Sequence, residues 1–497
     1  MSHPVNRRQS IIKDSTKFLS ATVVAQAVGL VRGIILPVLF QPVQLGVWNL
    51  MNVILGYGAN SHLGLLHGMN KTIPYLRGQN RTQKIEDVKN SIFWLNLLLG
   101  LVASGITMTV SFAVPVVYAP SMRIIALCIF LQQIYVYLFC ILRAENEFGL
   151  ASKGTAGFAI ISTTLVVLFA ALFSDRLSGA LLGIACALVV VVAYWFLKSR
   201  SRFALQLDWH IVRENFFVGF PIIIVGFIDM IFLSIDRWVI AIKLGEAPLG
   251  YYAIGVMAAN MLGVVTVATA NVLYPHTLER FAVAKDLMDM KKFLIVPVRI
   301  LGAVMLMILC AAIILIPLLI QLFLPKYLQS IPLVQVLLLG AFFLSIANVS
   351  GTFLIAVNKQ NWLIVVQIIA VLICIMLDGL LLRAGYGILG VAVGTASGYC
   401  AYGLGYTLVA ARMVLEGKTE YIRFIVQLLT PFIAMILAVM GGNYFIREGT
   451  DALGYLLSAS IRISLLMSVL LFTLWFANRD TNIIAMIRTE IKACRVA

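Results

Sequence analysis

The stretch FLSATVVAQAVGLVRGIILPVLF, residues 18–40, decides the fold class of this chain. Its only charged side chain is Arg32. A helix of this length rises about 34 Å, enough to cross the ~30 Å hydrocarbon core of a bilayer. The stretch therefore predicts a transmembrane helix that carries a guanidinium about 21 Å from its start. Insertion of a charge at that depth costs on the order of 3 kcal/mol, so a functional or structural role is expected for Arg32.

Similar apolar runs recur along all 497 residues, of which 61% are hydrophobic and 12% charged. This pattern predicts an all-α polytopic membrane protein, because a β-barrel would alternate apolar and polar residues. We count fourteen spans, at 18–40, 45–66, 91–115, 122–142, 154–174, 177–197, 216–242, 249–274, 293–323, 331–357, 361–382, 387–411, 423–445 and 453–477.

Lysine and arginine are unevenly distributed over the connections between these spans. With a cytoplasmic N-terminus, the outside connections carry only about one basic residue each: Arg123, Arg176, Lys243, Lys326, Arg383 and Arg447. This is the positive-inside pattern, and we expect both termini to be cytoplasmic. The formal net charge of +16 then reflects topology and anionic lipid headgroups rather than a nucleic-acid partner, because the basic residues lie in short loops.

The two halves of the chain resemble each other at an offset of 204 residues, which aligns Leu45-Gly46 with Leu249-Gly250 and Arg32 with Asp236. This predicts two six-helix lobes in parallel repeat around a central cavity. The expected divisions are a cytoplasmic N-terminus (1–17), an N-lobe (18–198), a cytoplasmic linker (199–215), a C-lobe (216–412), two extra helices (413–478) and a cytoplasmic tail (479–497).

Charged residues deep in the predicted spans are the main functional candidates. Arg32 is expected either in the central cavity or in a structural pair that joins the lobes. Asp229, Asp236 and Arg237 lie on the seventh span, where the two aspartates, seven residues apart, share one helix face. Either aspartate could couple to an ion or switch a contact between lobes, and Arg237 could serve the cavity or reach outer headgroups. Asp378 is expected to form a surface pair with Arg383.

Two further sets complete the candidates. His62, His67 and Lys71 form a polar cluster at the end of the second span, which could receive an anionic headgroup or be an ordinary solvated helix end. Arg462, in the middle of the fourteenth span, could line a lipid groove or pair with a neighbouring helix. The spacing of Gly390, Gly394 and Gly398 predicts close helix packing.

No motif for nucleotide binding, nucleophilic catalysis or metal binding occurs in the sequence. The seven cysteines form no CxxC pair, and the five histidines show no metal-ligand spacing. We therefore expect no catalytic residues, no cofactor and no metal. Short outer loops also disfavour a membrane glycosyltransferase or polymerase, so the chain is not expected to be an enzyme.

Several stretches resemble one family. GVWNLMNVILGYGANSHLGLLHGMNKTIPYLRG, residues 46–78, is similar to the beginning of Wzx-type oligosaccharide flippases. The same holds for RGIILPVLF from Arg32, GEAPLGYYAI from Gly245, AVNKQNW from Ala356 and GYGILGVAVGTASG from Gly385. The resemblance extends to the superfamily that includes MATE multidrug exporters and the lipid II flippase MurJ, and it implies two six-helix lobes around a central cavity.

The resemblance implies transport of a polyprenyl-pyrophosphate-linked oligosaccharide across a bacterial inner membrane, for surface polysaccharide biosynthesis by alternating access. Arg32 matches the cationic cavity that such a substrate requires, with Arg237, His62, His67 and Lys71 as further candidates. Fourteen spans are more similar to MurJ than to twelve-helix Wzx proteins. Expected partners are the lipid-linked oligosaccharide, membrane lipids and other polysaccharide assembly proteins. The alternative is a MATE-like cation-coupled multidrug antiporter.

Overall fold

The computed structural model describes residues 4–199, 204–283 and 286–445, together with Ser464 and Ser468. These residues form helices and connecting turns, and no strand occurs among them. Twelve of the described helical segments are long and apolar enough to cross a membrane. Of the fourteen predicted spans, the second (45–66) is interrupted, as shown below, and the fourteenth (453–477) lies outside the described ranges. The predicted all-α polytopic fold class is confirmed.

The helices of the first half are α1 (Pro4–Leu39), α2 (Pro42–Ala59), α3 (Leu65–Gly78), α4 (Thr82–Val110), α5 (Ala119–Ala144), α6 (Phe148–Leu172), α7 (Arg176–Lys198), α8 (Trp209–Phe232) and α9 (Ile235–Lys243). Those of the second half are α10 (Glu246–Val283), α11 (Lys291–Phe323), α12 (Ile331–Ala356), α13 (Asn361–Arg383), α14 (Gly387–Val414) and α15 (Gly417–Phe445). Short 3-10 turns at Leu287–Met290 and Pro325–Ser330 precede α11 and α12.

The helix bounds reproduce the offset seen in the sequence. Helix α1 ends at Leu39 and α9 ends at Lys243, while α2 begins at Pro42 and α10 begins at Glu246. Both separations are 204 residues (243 − 39 and 246 − 42). The same neighbours also pack in each half, since α4–α5, α6–α7 and α5–α7 correspond to α11–α12, α13–α14 and α12–α14. The two halves therefore follow one order of elements.

The chain forms two compact units. The first comprises residues 1–241 and 245–250, and the second comprises 242–244 and 251–497. In the first unit, α1 packs on α6 and α7 packs on both α5 and α6. The indole of Trp195 is buried where α7 meets Gly154 of α6, and its Nε1 donates to the carbonyl of Leu150 at 3.1 Å.

Glycine spacing governs packing in the second unit. A Cβ on Gly390 would lie 2.9 Å from the Cβ of Leu381, and one on Gly394 would overlap the carboxylate of Asp378. The expectation of close packing at these two glycines is confirmed. The expected surface pair of Asp378 with Arg383 is wrong, because Asp378 is fully buried in the α13–α14 contact. The missing side chain of Gly394 provides the room for this carboxylate.

The described part of the predicted linker lies against α4. Trp94 Nε1 donates to the carbonyl of Ala204 at 2.9 Å, and the Ala204 N–H donates to Asn90 Oδ1 at 3.1 Å. The Asp208 N–H donates to Ser91 Oγ at 2.9 Å, and the Asp208 carboxylate accepts from the N–H of His210 at the start of α8. The chain is thus fixed on both sides of its entry into α8.

Candidate transport site

The second span is interrupted between α2 and α3. Residues 60–64 are non-helical, and Leu63 and Gly64 adopt positive φ angles of 49° and 90°. Glycine tolerates this conformation at little cost, whereas leucine is strained in it. The predicted span 45–66 is therefore the beginning of a longer segment, 42–78, that bends at its middle.

A buried glutamine satisfies the backbone at this break. Gln133 of α5 is fully buried, and its Nε2 donates to the carbonyl of Gly58 at 2.5 Å and to Ser61 Oγ at 2.8 Å. Non-helical backbone at membrane depth is tolerated only where protein groups or a water-filled cavity satisfy it. Gln133 supplies these hydrogen bonds at the α2–α3 break.

The seventh predicted span is also two helices. Helix α8 ends at Phe232 and α9 begins at Ile235, with Ser234 Oγ donating back to the carbonyl of Met230 at 2.7 Å. Asp229 and Asp236 consequently lie on different helices, and the expectation that they share one helix face is wrong. The Asp236 carboxylate is buried and accepts from the Arg237 N–H at 2.7 Å, where an acid complements the beginning of a helix.

The two breaks meet each other. Tyr57 Oη and Ser234 Oγ are 2.9 Å apart and share a hydrogen bond. Asn60 Nδ2 lies 3.6 Å from Met230 Sδ, and the rings of Tyr57 and Phe227 stack with centroids 6.4 Å apart. Discontinuous helices that meet at membrane depth are typical of binding sites in secondary transporters. This group (Tyr57, Asn60, Phe227, Met230 and Ser234) is the break junction.

Two histidines lie at the α2–α3 break, His62 within it and His67 on the first turn of α3. His62 is buried, with 3% of its surface exposed, and its Nδ1 accepts from the N–H of Gly64 at 3.1 Å. Its ring contacts that of His67 edge to face, with centroids 5.4 Å apart. His67 is half-buried and Lys71, four residues on, is exposed. The structure thus brings His62 and His67 together and places Lys71 one turn further along the same face of α3.

The predicted arginines occupy different places. Arg237 lies one turn after Ser234, and its Nε is buried with no hydrogen-bond partner among the described residues. Arg32 is half-buried on α1, which packs on α6, and no ion pair reaches it within the described ranges. The structure therefore does not join Arg32 to Asp236. Arg462 lies outside the described residues.

Two glycine crossings flank the break junction. At the α3–α8 crossing, a Cβ on Gly219 would overlap the carbonyl oxygen of Gly64, and one on Gly68 would overlap that of Asn215. At the α2–α10 crossing, a Cβ on Gly46 would overlap the carbonyl oxygen of Glu246, and one on Gly250 would overlap that of Pro42. Backbones meet directly at both places, as small residues allow between membrane helices.

A hydrogen bond reinforces the α2–α10 crossing. Tyr118, just before α5, donates to the carboxylate of Glu246, and burial together with this carboxylate raises the pKa of Tyr118. The phenol therefore stays protonated at neutral pH and remains a donor. This contact ties the start of α10 to the start of α5.

Gln133, Tyr57 and Ser234 were not among the predicted site residues. Gln133 carried the clearest signal, because it is a polar amide inside the apolar run 122–142. Ser234 and Tyr57 had none, since single hydroxyls are common in membrane helices and find partners on their own backbone.

Comparison with known proteins identifies the family of this chain. A family model described as "Polysaccharide biosynthesis protein" matches residues 76–331, which is 256 of the 497 residues. The chain belongs to this family. The predicted family membership is thus confirmed, and the chain is a multi-pass membrane protein. A comparison with curated protein sequences finds no match.

Solved structures show the same fold. The chain is similar to the lipid II flippase MurJ in its inward closed conformation, with a TM-score of 0.66, 14% identity, and coverage of 93% of this chain and 99% of the MurJ chain. It is also similar to an inward-facing MATE multidrug resistance transporter of the MOP superfamily, with a TM-score of 0.63 and 15% identity. That match covers 81% of this chain and 95% of the transporter. A match to a MOP superfamily transporter from Pyrococcus furiosus has a TM-score of 0.53 and 13% identity, and it covers 84% of this chain and 96% of the transporter. At these identities the likeness concerns the fold alone.

The described residues offer no obvious place for a metal ion. No group of three or more histidine, cysteine, aspartate or glutamate side chains is close enough to hold one in those ranges. The break junction instead presents hydroxyl and amide groups, and His62 and Arg237 lie two and three residues after its members Asn60 and Ser234. Such groups can hydrogen-bond sugar hydroxyls and phosphate oxygens.

Proposed function

We propose that this protein is a flippase that moves a polyprenyl-pyrophosphate-linked oligosaccharide from the cytoplasmic to the outer leaflet of a bacterial inner membrane. Membership in a polysaccharide biosynthesis family and a transporter fold support this proposal. The observation that carries it furthest is the break junction, where two interrupted helices bring hydroxyl and amide groups together, with the buried Nε of Arg237 on the turn that follows Ser234.

Arg237 and Arg32 would bind the pyrophosphate. A guanidinium forms paired, charge-assisted hydrogen bonds with phosphate oxygens, and its charge is costly in lipid without such an anion. His62, His67 and Lys71 continue the polar surface along α3, where they would contact the headgroup during entry. Asn60 and Tyr57 would hydrogen-bond the sugar. Arg462 would line a groove for the lipid chain.

Asp229 and Asp236 would link substrate movement to the helix breaks. Asp236 holds the start of α9, so protonation or ion binding there would weaken the contact that fixes this helix end. Asp229 lies in the last turn of α8, immediately before the break. Coupling to an ion would therefore act on the α8–α9 bend itself.

The two glycine crossings support alternating access. The helix backbones are in contact at both crossings, and each crossing would separate in turn as the substrate path opens to one side of the membrane and then to the other. Backbone contact without interlocked side chains allows such separation without repacking a core. Transport would then proceed by rocking, with the lobes given by 18–198 and 216–412, the linker at 199–215 and cytoplasmic termini. The protein would use no cofactor and catalyse no covalent reaction, and other polysaccharide assembly proteins would act beside it.

Deletion of the gene tests the substrate. We expect polyprenyl-linked repeat units to accumulate on the cytoplasmic side and surface polysaccharide to be lost, and mass spectrometry of the extracted lipids identifies the cargo. Normal surface glycan together with raised sensitivity to cationic dyes would instead indicate a MATE-like antiporter.

Complementation of the deletion strain tests the site. Arg237→Ala and Arg32→Ala should each reduce export by about 10- to 100-fold, the value of a charged hydrogen bond, while the protein still inserts. Arg81→Ala removes the same charge from an exposed loop position and should export normally. Undiminished export by both cavity variants would reject the proposed pyrophosphate site.

A further inference from the structure

A basic cavity lies in the second unit, and its lining includes none of the break-junction residues. It has a volume of about 510 Å³ and opens between the beginnings of α11 and α15. The charged groups in its wall are Lys291, Arg299, Arg423, Glu416 and Glu420. Three cations face two carboxylates, so the cavity carries one net positive charge. Cavities of this size commonly hold small ligands.

Its arginines are held in different ways. Arg299 donates through Nη2 to Oε1 of Gln427, and its guanidinium carbon lies 5.8 Å above the ring centre of Phe424. These contacts fix the guanidinium plane against α15. Arg423 is on the exposed side of α15, and Lys291 is paired with Glu420 across the cavity. The fixed Arg299 and the exposed Arg423 therefore form two walls of a site that suits an anion.

The depth of this cavity matches the headgroup layer. The apolar segment Leu287–Phe323 has 37 residues, a length of about 55 Å, so it exceeds the ~30 Å hydrocarbon core at one or both ends. Arg299 lies eight residues after Lys291, about 12 Å along the helix. This places Arg299 near the boundary between headgroups and hydrocarbon. The exposed Lys292 and Lys418 beside the cavity put it on the predicted cytoplasmic face.

Apolar surface adjoins the cavity. Ile422 and Val426 of α15 flank Arg423, and 57% and 51% of their surfaces are exposed. Further along α15, Ile433 and Leu437 are 51% and 64% exposed. Val426 lies three residues after Arg423, on the same side of the helix. An anion held by Arg423 therefore has an exposed apolar stripe running from it along the membrane span. A soluble phosphate would make no use of that stripe.

We propose that the cavity between α11 and α15 binds the phosphate of an anionic membrane lipid of the cytoplasmic leaflet. Arg299 and Arg423 bind the phosphate oxygens, and the acyl chains lie along the apolar face of α15. Basic pockets between membrane helices on the cytoplasmic side bind anionic lipid headgroups in this manner. The site is independent of the transported substrate and of the proposed function.

Native mass spectrometry of the full-length protein in detergent tests the site. The probe is dioleoyl phosphatidylglycerol, compared with the zwitterionic dioleoyl phosphatidylcholine. We expect the wild-type protein to retain phosphatidylglycerol in preference. The double variant Arg299→Gln with Arg423→Gln should bind it about 30-fold more weakly, since each basic residue contributes about a fivefold factor. Lys292→Gln and Lys418→Gln remove neighbouring charges that do not line the cavity and should bind as the wild type.

Two further measurements distinguish a lipid from free phosphate as the ligand and control for misfolding of the double variant. An excess of inorganic phosphate should leave phosphatidylglycerol bound, and displacement by phosphate alone would overturn the lipid assignment. If the double variant does not elute as a single species, Arg423→Gln, at an exposed position, replaces it and should lose about fivefold. Equal retention of the two lipids, or equal retention by variant and wild type, would overturn the proposal.

Discussion

At the scale of single residues, Gln133 shows how one side chain maintains an interruption in a membrane helix. Its amide donates to the buried carbonyl of Gly58, which also accepts from the N–H of Ser61, and to the half-buried Ser61 Oγ. Loss of one partner of a buried hydrogen bond costs about 1–3 kcal/mol, because the remaining group stays desolvated.

Replacement of this glutamine therefore has a defined outcome. Gln133→Leu should lower the melting temperature of the purified protein by several degrees and reduce transport, because the α2–α3 break loses its donors. Gln132→Leu makes the same change at the adjacent, half-buried position and should leave both properties near wild type. Equal melting temperatures for the two variants, measured in the same detergent, would show that the amide does not support the break.

At the scale of helices, the crossings are built from backbone. Gly219 of α8 contacts the carbonyl of Gly64, so even one methyl group would force α3 and α8 apart. Overpacking of this kind typically costs 1–3 kcal/mol. Gly226 lies on the same helix with nothing within 4 Å of a built Cβ, which makes it a matched control.

The crossing can be tested with these two glycines. Gly219→Ala should destabilise the protein by about 1–3 kcal/mol and disturb the closed α3–α8 contact, which thermal unfolding and thiol labelling of a cysteine placed at Asn215 can report. Gly226→Ala should be neutral or stabilising by up to about 1 kcal/mol, because it only removes the flexibility of glycine. If Gly219→Ala left the stability unchanged, the α3 and α8 backbones would have to lie further apart than in this structure.

The helix breaks also mark what the sequence could predict. Hydropathy was sufficient for the helical type of the spans and for twelve of the fourteen, because each span must satisfy its own backbone in lipid. The α8–α9 break was missed since neither proline nor glycine occupies Leu233 or Ser234, and Pro221, which is inside α8, does not interrupt it. Asn60 and Gly64 did signal the other break, but their apolar neighbours concealed it in the hydropathy of the run.

At the scale of the whole molecule, the site depends on contacts that sequence patterns do not encode. Tyr57 and Ser234 are 177 residues apart, and only the folded chain brings them together. Asp378 was misplaced for a related reason, since the space left by Gly394 on another helix decides its burial. The positions of Arg32, Arg237 and the aspartates in their spans were readable, whereas their partners were not.

Because the chain is hydrogen-bonded to α4 immediately before α8, we predict that the peptide connection between residues 199 and 204 is dispensable. Ala204 and Asp208 are hydrogen-bonded to α4, and α8 packs on α3 and α4, so residues 204–232 contact these helices independently of the preceding peptide bonds. Two co-expressed fragments, 1–199 and 204–497, should therefore co-purify as a complex and restore export in the deletion strain. Fragments in which Ser91→Ala and Asn90→Ala remove the side-chain acceptors should assemble less completely. Evolution by exchange of fragments corresponding to 1–199 and 204–497 would then require no new peptide connection.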